Sequence, residues 1–408
     1  MENNAEIAGG SRSTNDPKES FGKVLGGVVR NNMRQYTMIA ALVAIWVIFS
    51  ILTKGLFISS RNLSNLFLQM CTIGILTGGM LLVMVAGHID LSAGIVCGTL
   101  GAIVAYLMSK TNMDPVLAIA ITILCGVAVG LWHGFWVAYR GVPAFIVTLA
   151  SQMAFQGITL AVTNGATIGE FAPGFKAIGQ GFIPRLFFSE DAPYHDLTII
   201  LTIIAIVLYV IMSTHKRRKR QKEGFTVLPI SLEIVKNLLI LGAIGAVGYV
   251  LASYRGVPIA ILILLATVLI FNTVTTRTPF GRHVYAIGGG MEAARLSGVN
   301  IKRTLLKIFV IMGALTAVAS IVFTSRLNAA TTAAGKGFEL DAIAACIIGG
   351  TSTTGGIGTV FGAIIGALVM ASLDNGMSLM NLPIMIQYII KGGILLLAVW
   401  VDIANKKK

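Results

Sequence analysis

Three stretches interrupt an otherwise apolar chain with residues able to do chemistry. In GHIDLSAG (Gly87 to Gly94), His88, Asp90 and Ser92 stand together, and Asp90 is the only acidic residue between Glu19 and Asp114. An ionisable group at the boundary of a membrane helix marks a functional site by default, and a glycine-flanked acid and hydroxyl can orient the hydroxyls of a solute. Asp90 or Ser92 can equally serve as the N-cap of the following helix, and the two roles do not exclude each other. The second stretch, DAIAACIIGGTSTTGGIGTVFGAIIGA, gathers Thr351, Ser352, Thr353 and Thr354 ahead of Gly358, Gly362 and Gly366. Glycines four apart permit close helix contact without any ligand. The hydroxyl cluster suits an uncharged polyol, which needs donors and acceptors facing a cavity and no countercharge. The third stretch, TRTPFGRHVYAIGGGMEAARLSGVNIKR (Thr276 to Arg303), is hydrophilic and holds a helix-forming run, Met291 to Leu296, between the glycines at 288–290 and Gly298. A short rigid helix lying along a membrane is what a mechanical partner would push on. An ordinary surface loop is the alternative, although the stretch is long for an idle connection.

What the chain lacks narrows these readings. It contains no G-x-x-x-x-G-K-[ST] phosphate loop, so ATP is not hydrolysed by that route. No His, Cys and carboxylate constellation converges as an enzyme would require, and no metal-ligand spacing appears. Cys71, Cys97, Cys125 and Cys346 all fall inside apolar runs, as small buried residues do. No paired carboxylates are evident within those runs, which weakens proton coupling. His133 beside Trp132 reads as a satisfied polar residue near an interface.

The elements that must position these residues are membrane helices. Hydrophobic residues make up 55% of the chain and charged ones 12%, with mean hydropathy +0.84, against the ~25% charged usage of soluble domains. Runs long enough for a bilayer core of about 30 Å follow one another at 36–53, 62–86, 92–109, 115–138, 143–163, 197–213, 234–252, 257–275, 304–324, 341–372 and 383–401. Each is apolar all round with no period of two, so the expected fold is an all-α polytopic bundle and not a barrel.

Charge sets its orientation. Residues 1–35 are polar and precede the first apolar run, which reads as a cytosolic tail and not a cleaved leader. Most of the 31 Lys and Arg lie on one face: that tail, Arg140, the cluster Lys216 to Lys222, residues 277–307 and Lys406 to Lys408. The positive-inside bias makes this face cytoplasmic. Lys236 and Lys391 can be counted on either face. The run HKRRKRQKEG (His215 to Gly224) serves as a topology anchor or as a site for anionic lipid heads or a partner. Eleven simple crossings would strand Lys406 to Lys408 outside, so one run does not cross. Run 341–372, glycine-broken between Gly349 and Gly358, is the candidate, since irregular backbone survives at membrane depth only against protein or a water-filled cavity. About ten transmembrane helices and one re-entrant, broken hairpin remain, with both termini cytoplasmic. The expected layout is an N-terminal tail (1–35), a transmembrane domain (36–401) with a basic cytoplasmic loop at 214–225 and a longer one at 276–303, and a basic tail (402–408). An internal echo, YRGVPAFIVTLA at Tyr139 to Ala150 and YRGVPIAILILL at Tyr254 to Leu265, places its copies on opposite faces. It fits either two inverted halves or a chance repeat of a turn.

The three motifs, in this order, resemble the permeases of ribose/xylose-type ABC sugar importers, from about Tyr36 to Val401. Length and the basic run at His215 to Gly224 are more similar to the longer xylose or multiple-monosaccharide branch than to the ribose branch. The resemblance implies a pore of two permease chains, expected here as a homodimer, in a bacterial plasma (inner) membrane. It also implies a separate ATPase subunit that uses ATP and magnesium, and an extracytoplasmic sugar-binding protein. This chain itself would bind no cofactor and be no enzyme. The segment carrying Phe280, Gly281, Arg282, Glu292, Ala293, Ala294, Arg295 and Gly298 is then the element that docks into the ATPase. His88, Asp90, Ser92 and Thr351 to Thr354 are assigned to the substrate pathway. Where members often read GGN this chain has Gly288, Gly289 and Gly290, and where a glycine is common it has His88. An ion-coupled secondary transporter of a small polar solute is the competing reading, and the inverted echo would suit it equally.

Overall fold

A computed structural model describes residues 33–187, 192–225, 227 and 229–406, so the expected tail at 1–35 lies almost wholly outside the described residues. The elements are α1 (Met33–Leu52), α2 (Ser60–Val85), α3 (Ala93–Ser109), α4 (Pro115–Gly134) running on as a π-helical turn (Phe135–Tyr139), α5 (Ala144–Thr163), β1 (Ile168–Gly169), α6 (Pro173–Gln180), α7 (Asp196–Lys222), α8 (Ile230–Ala252), α9 (Ile259–Arg277), α10 (Pro279–Gly289), α11 (Met291–Leu296), α12 (Ile301–Leu327), β2 (Ala329–Ala330), α13 (Phe338–Ile348), α14 (Val360–Leu379) and α15 (Ile384–Lys406). Nine of the described helices are long and apolar enough to cross a membrane, and α1 and α3 are shorter apolar helices. The expected polytopic all-α bundle is therefore the fold.

Local chemistry sets the helix limits. Asp114 accepts from the amides of Val116 and Leu117 with Pro115 opening α4, while Thr278 caps Gly281 ahead of α10 in the same way. Asn164 and Asn328 end α5 and α12 in the left-handed region, which asparagine tolerates best among residues with a side chain. The basic residues at 216–222 do not form a loop: α7 continues helical through Lys222, because Lys, Arg and Gln are good helix formers and positive charge suits a helix C-terminus. Likewise α15 stays helical to Lys406, past the expected start of a tail at 402.

At the centre, α2 packs against α12, and their most apolar stretches are among the most buried of the spanning helices. Around them the contacts repeat. α12 packs on α4 and α3 as α2 packs on α14 and α13, and α3 meets α5 as α13 meets α15. α2 ends and α12 begins at the same end of the bundle, beside α10, so α2–α5 and α12–α15 are inverted halves. The sequence echo falls on a different pair. Gly141 and Gly256 both take positive φ and both copies lead into a Pro-started helix, but the second copy opens α9, whereas the counterpart of α5 is α15. The echo is a repeated turn.

Each half contains one broken span. Residues 87–92 are irregular before α3, and 331–337 before α13. The second break lies with its backbone against the first turns of α3: a Cβ on Gly98 would lie 2.1 Å from the Ala334 carbonyl, and one on Gly335 would lie 2.0 Å from the Gly94 carbonyl. The run expected to be a re-entrant, broken hairpin at 341–372 folds as the short α13, a loop at 349–359 and α14; α14 is long and apolar enough to cross on its own, and the glycines pack the two helices together. A Cβ on Gly362 or Gly366 would meet the carbonyl of Gly349 or Ala345 at 2.2 and 1.9 Å. Far from α10, a two-residue ladder pairs Ile168 with Ala330 and Gly169 with Ala329, and α6 hydrogen-bonds to Ser325, closing that end.

Candidate functional site

The three sequence motifs meet at one junction. Gly87 ends the chain reversal after α2, and the Gly356 amide donates to the Val85 carbonyl at 2.8 Å. Gly288 of α10 lies between them. A Cβ there would fall 1.7 Å from the Val85 oxygen and 2.5 Å from the Gly356 nitrogen, so only glycine fits. Tyr285, one turn earlier, donates its hydroxyl to the Gly358 carbonyl at 2.7 Å, and burial pushes that hydroxyl above the ordinary tyrosine range. α10 is thus in direct contact with the end of α2 and with the α13–α14 loop.

The surface of this junction bears the residues expected to couple to an ATPase. α11 is six residues long and begins at Gly290, whose φ of 170° is ordinary extended backbone with room for a side chain. Glycine is therefore not required at 290. Ala294 is buried and anchors the helix, while Glu292, Ala293 and Arg295 are exposed, with Glu292 and Arg295 paired to each other. Met291 and Leu296 also face outward, Leu296 at 81% exposure. Arg282 and Gly298 share this exposed surface, whereas Phe280 and Gly281 pack inward, Gly281 against the carbonyls of Val274 and Thr275.

The hydroxyl cluster is not lined up along a cavity as the sequence suggests. Thr351 and Ser352 are buried, Ser352 bonds Thr354, and Thr353 donates to Asp402 of α15 at 3.1 Å. These bonds close a tight loop beside α10, because successive glycines (Gly349, Gly350, Gly355, Gly356) let the chain fold onto itself. The GHIDLSAG segment lies deeper. Asp90 and Ser92 are buried, and Asp90 accepts from both the amide and the hydroxyl of Ser92 at 2.8 and 2.6 Å. Ser92 makes no capping bond of its own. His133 corrects the interfacial reading: it is 3% exposed, and its ring and that of His88 lie 6.4 and 6.3 Å from the buried ring of Phe309. Neither imidazole Nε2, nor Glu339 Oε2 beside Gly94, has a hydrogen-bond partner among the described residues.

At the end away from α10 opens a chamber of 490 Å³ that the sequence reading missed. Asn62, Asn65 and Gln69 of α2 line it, together with Gln180, Tyr254, Arg255, Arg326, Asn375 and Ser378. Asn62 donates to Asn375 at 2.7 Å, Gln180 to the Arg326 carbonyl at 2.9 Å, and Arg255 lies over the Phe182 ring at 4.7 Å. Amides, guanidinium groups and aromatic faces suit a neutral, hydroxyl-rich solute. A signal was available: positions 62, 65 and 69 form one polar stripe at i, i+3, i+7 on an otherwise apolar helix.

Comparison with known proteins identifies the family. The family described as branched-chain amino acid transport system / permease component matches residues 62–399. The chain is 44% identical to the xylose transport system permease protein of Haemophilus influenzae, over 92% of this chain and 98% of that one. Its identity to the xylose transport system permease protein of Escherichia coli K12 is 43%, over 94% and 95%. The ribose import permease protein of Escherichia coli K12 follows at 30%, over 92% and 95%. No solved structure gives a significant match.

Proposed function

The chain belongs to the branched-chain amino acid transport system / permease component family, and we propose that it carries xylose or a similar monosaccharide. It is the membrane subunit of a sugar importer of the ATP-binding-cassette kind, a transport protein and not an enzyme, and its partners are an ATPase and a sugar-binding protein. The ion-coupled alternative loses its support, since both groups of relatives are named as components of sugar transport and import systems. The cargo follows from rank: the xylose permeases exceed the ribose permeases by more than ten percentage points of identity over similar coverage.

The single observation that carries the mechanism is the junction at Gly288. In the proposed cycle, ATP and magnesium act on the separate ATPase, whose closure moves α11 through Glu292, Arg295, Met291 and Leu296. α10 moves with it and shifts the ends of α2 and of the α13–α14 loop, and the bundle changes face by alternating access. Two copies form the pore, both termini face the cytoplasm, and the amide-lined chamber at the opposite end receives sugar from the binding protein. His88, Asp90 and Ser92 then lie on the path inward, with Thr351 to Thr354 at its cytoplasmic end.

Uptake of radiolabelled xylose by cells whose own pentose importers are deleted, carrying this chain with its ATPase and binding protein, tests the cargo. Xylose uptake that excess ribose competes only weakly is expected. Uptake of ribose in preference to xylose would reassign the substrate.

A further inference from the structure

A second chamber of 490 Å³ lies between α13, α14 and α15, and Ser378 lines both it and the amide-lined chamber. Its wall holds a charged group that no apolar run announces. Lys391 of α15 donates to Asp341 of α13 and to Asp374 of α14, each at 2.9 Å. Asp374 lies five residues before the end of α14 and Lys391 seven after the start of α15, which puts the group about 8–11 Å inside that end of the bundle. Lys391 nevertheless retains 21% exposure and Asp374 31%. At that depth lipid solvates neither charge, so the exposed parts face water, a polar ligand or the second copy of the chain.

Around them the chamber is lined by Lys336, Phe338, Tyr388 and Gln387. Two ammonium groups balance two carboxylates, so a neutral solute meets both donors and acceptors without a net field. Vicinal hydroxyls can donate to a carboxylate and accept from Lys391 at once, and Phe338 and Tyr388 add aromatic surface to the lining for the apolar side of a pyranose. The volume lies within the roughly 300–1,000 Å³ typical of small-molecule sites.

We propose that this chamber is a binding station for a neutral monosaccharide within the permease, reached past Ser378, with Lys391, Asp341 and Asp374 as its specificity-determining residues. The inference rests on the sugar-permease reading above. The competing role for the charged group is a structural clamp holding α15, the least buried of the spanning helices, to α13 and α14.

Two measurements on the complete complex in liposomes decide it. The triple variant Asp341→Asn, Asp374→Asn, Lys391→Met removes the charges at nearly constant volume. A clamp tolerates such replacement, whereas a binding station loses uptake by about tenfold or more while binding-protein-stimulated ATP hydrolysis persists. The second uses Gly392→Cys in a Cys125→Ser background; Gly392 lines the chamber and a Cβ there meets open space. A membrane-impermeant maleimide is expected to label that thiol, and xylose to slow the labelling severalfold. Unaltered uptake by a folded triple variant, or a thiol that is unreactive or indifferent to xylose, overturns the proposal while leaving the permease reading intact. If the triple variant does not fold, the thiol decides alone. A wild-type complex that accumulates no monosaccharide would end both.

Discussion

At the scale of single residues, Gly288 and Tyr285 carry most of the proposed mechanism. A methyl group at 288 would sit inside the van der Waals shell of Val85 and Gly356 backbone atoms that cannot step aside. Gly288→Ala is therefore expected to cost roughly 1–3 kcal/mol of local stability and to lower sugar uptake while the ATPase still copurifies. Gly289→Ala, where a Cβ meets open space, should behave as wild type in both assays. Equal effects at the two positions would remove the transmission role given to 288. Tyr285→Phe deletes a single hydrogen bond and should destabilise the chain by about 1 kcal/mol, seen as a lower melting temperature in detergent. Because burial raises the Tyr285 hydroxyl, the tyrosine remains a donor above its ordinary value of about 10, and the bond is lost only as pH rises through the higher folded value. The difference in stability between wild type and Tyr285→Phe should accordingly be constant from pH 7 to about 9; a difference that vanishes in that window would contradict the assignment.

Among the elements, the helix contacts depend on glycine where backbones touch. Gly126, Gly130 and Gly134 of α4 face Gly313, Phe309 and Leu306 of α12, and a Cβ on Gly130 would lie 2.3 Å from the Phe309 carbonyl. Gly130→Ala should lower the melting temperature through overpacking worth about 1–3 kcal/mol. Gly157→Ala on α5, with nothing within reach, should be neutral or slightly stabilising by helix propensity. At the exposed helix α11, the double variant Glu292→Ala, Arg295→Ala should weaken copurification of the ATPase without altering the melting temperature, since both side chains are largely exposed. Unchanged association and uptake would remove α11 from the docking surface. Much at this scale was legible in the sequence. The apolar runs named the spans, the glycines at 349–358 marked the loop between α13 and α14, and the helix at 291–296 emerged between its glycines. What escaped was set by contacts distant in the chain. Asp341, Asp374 and Lys391 are separated by 33 and 17 residues, so the sequence offered three isolated charges where the fold makes one group. α10 escaped because the hydrophilic stretch 276–303 reads as a loop around the short run 291–296, whereas Val284 and Ile287 are buried on one face of a helix. The inverted halves emerge from the repeated helix contacts and not from the sequence echo, which falls on a different pair of helices.

For the molecule as a whole, the division of labour follows from what the chain holds. It carries two polar chambers at one end, two broken spans packed together at its centre, and a rigid handle at the other end. In the proposed cycle its energy arrives through that handle from the separate ATPase. The most direct measurement is reconstitution of the purified chain in sealed liposomes, with and without the ATPase and the sugar-binding protein. Xylose should accumulate only when all three components and ATP are present, and no ion gradient should replace ATP. Accumulation by the chain alone under an ion gradient would contradict the account at its centre.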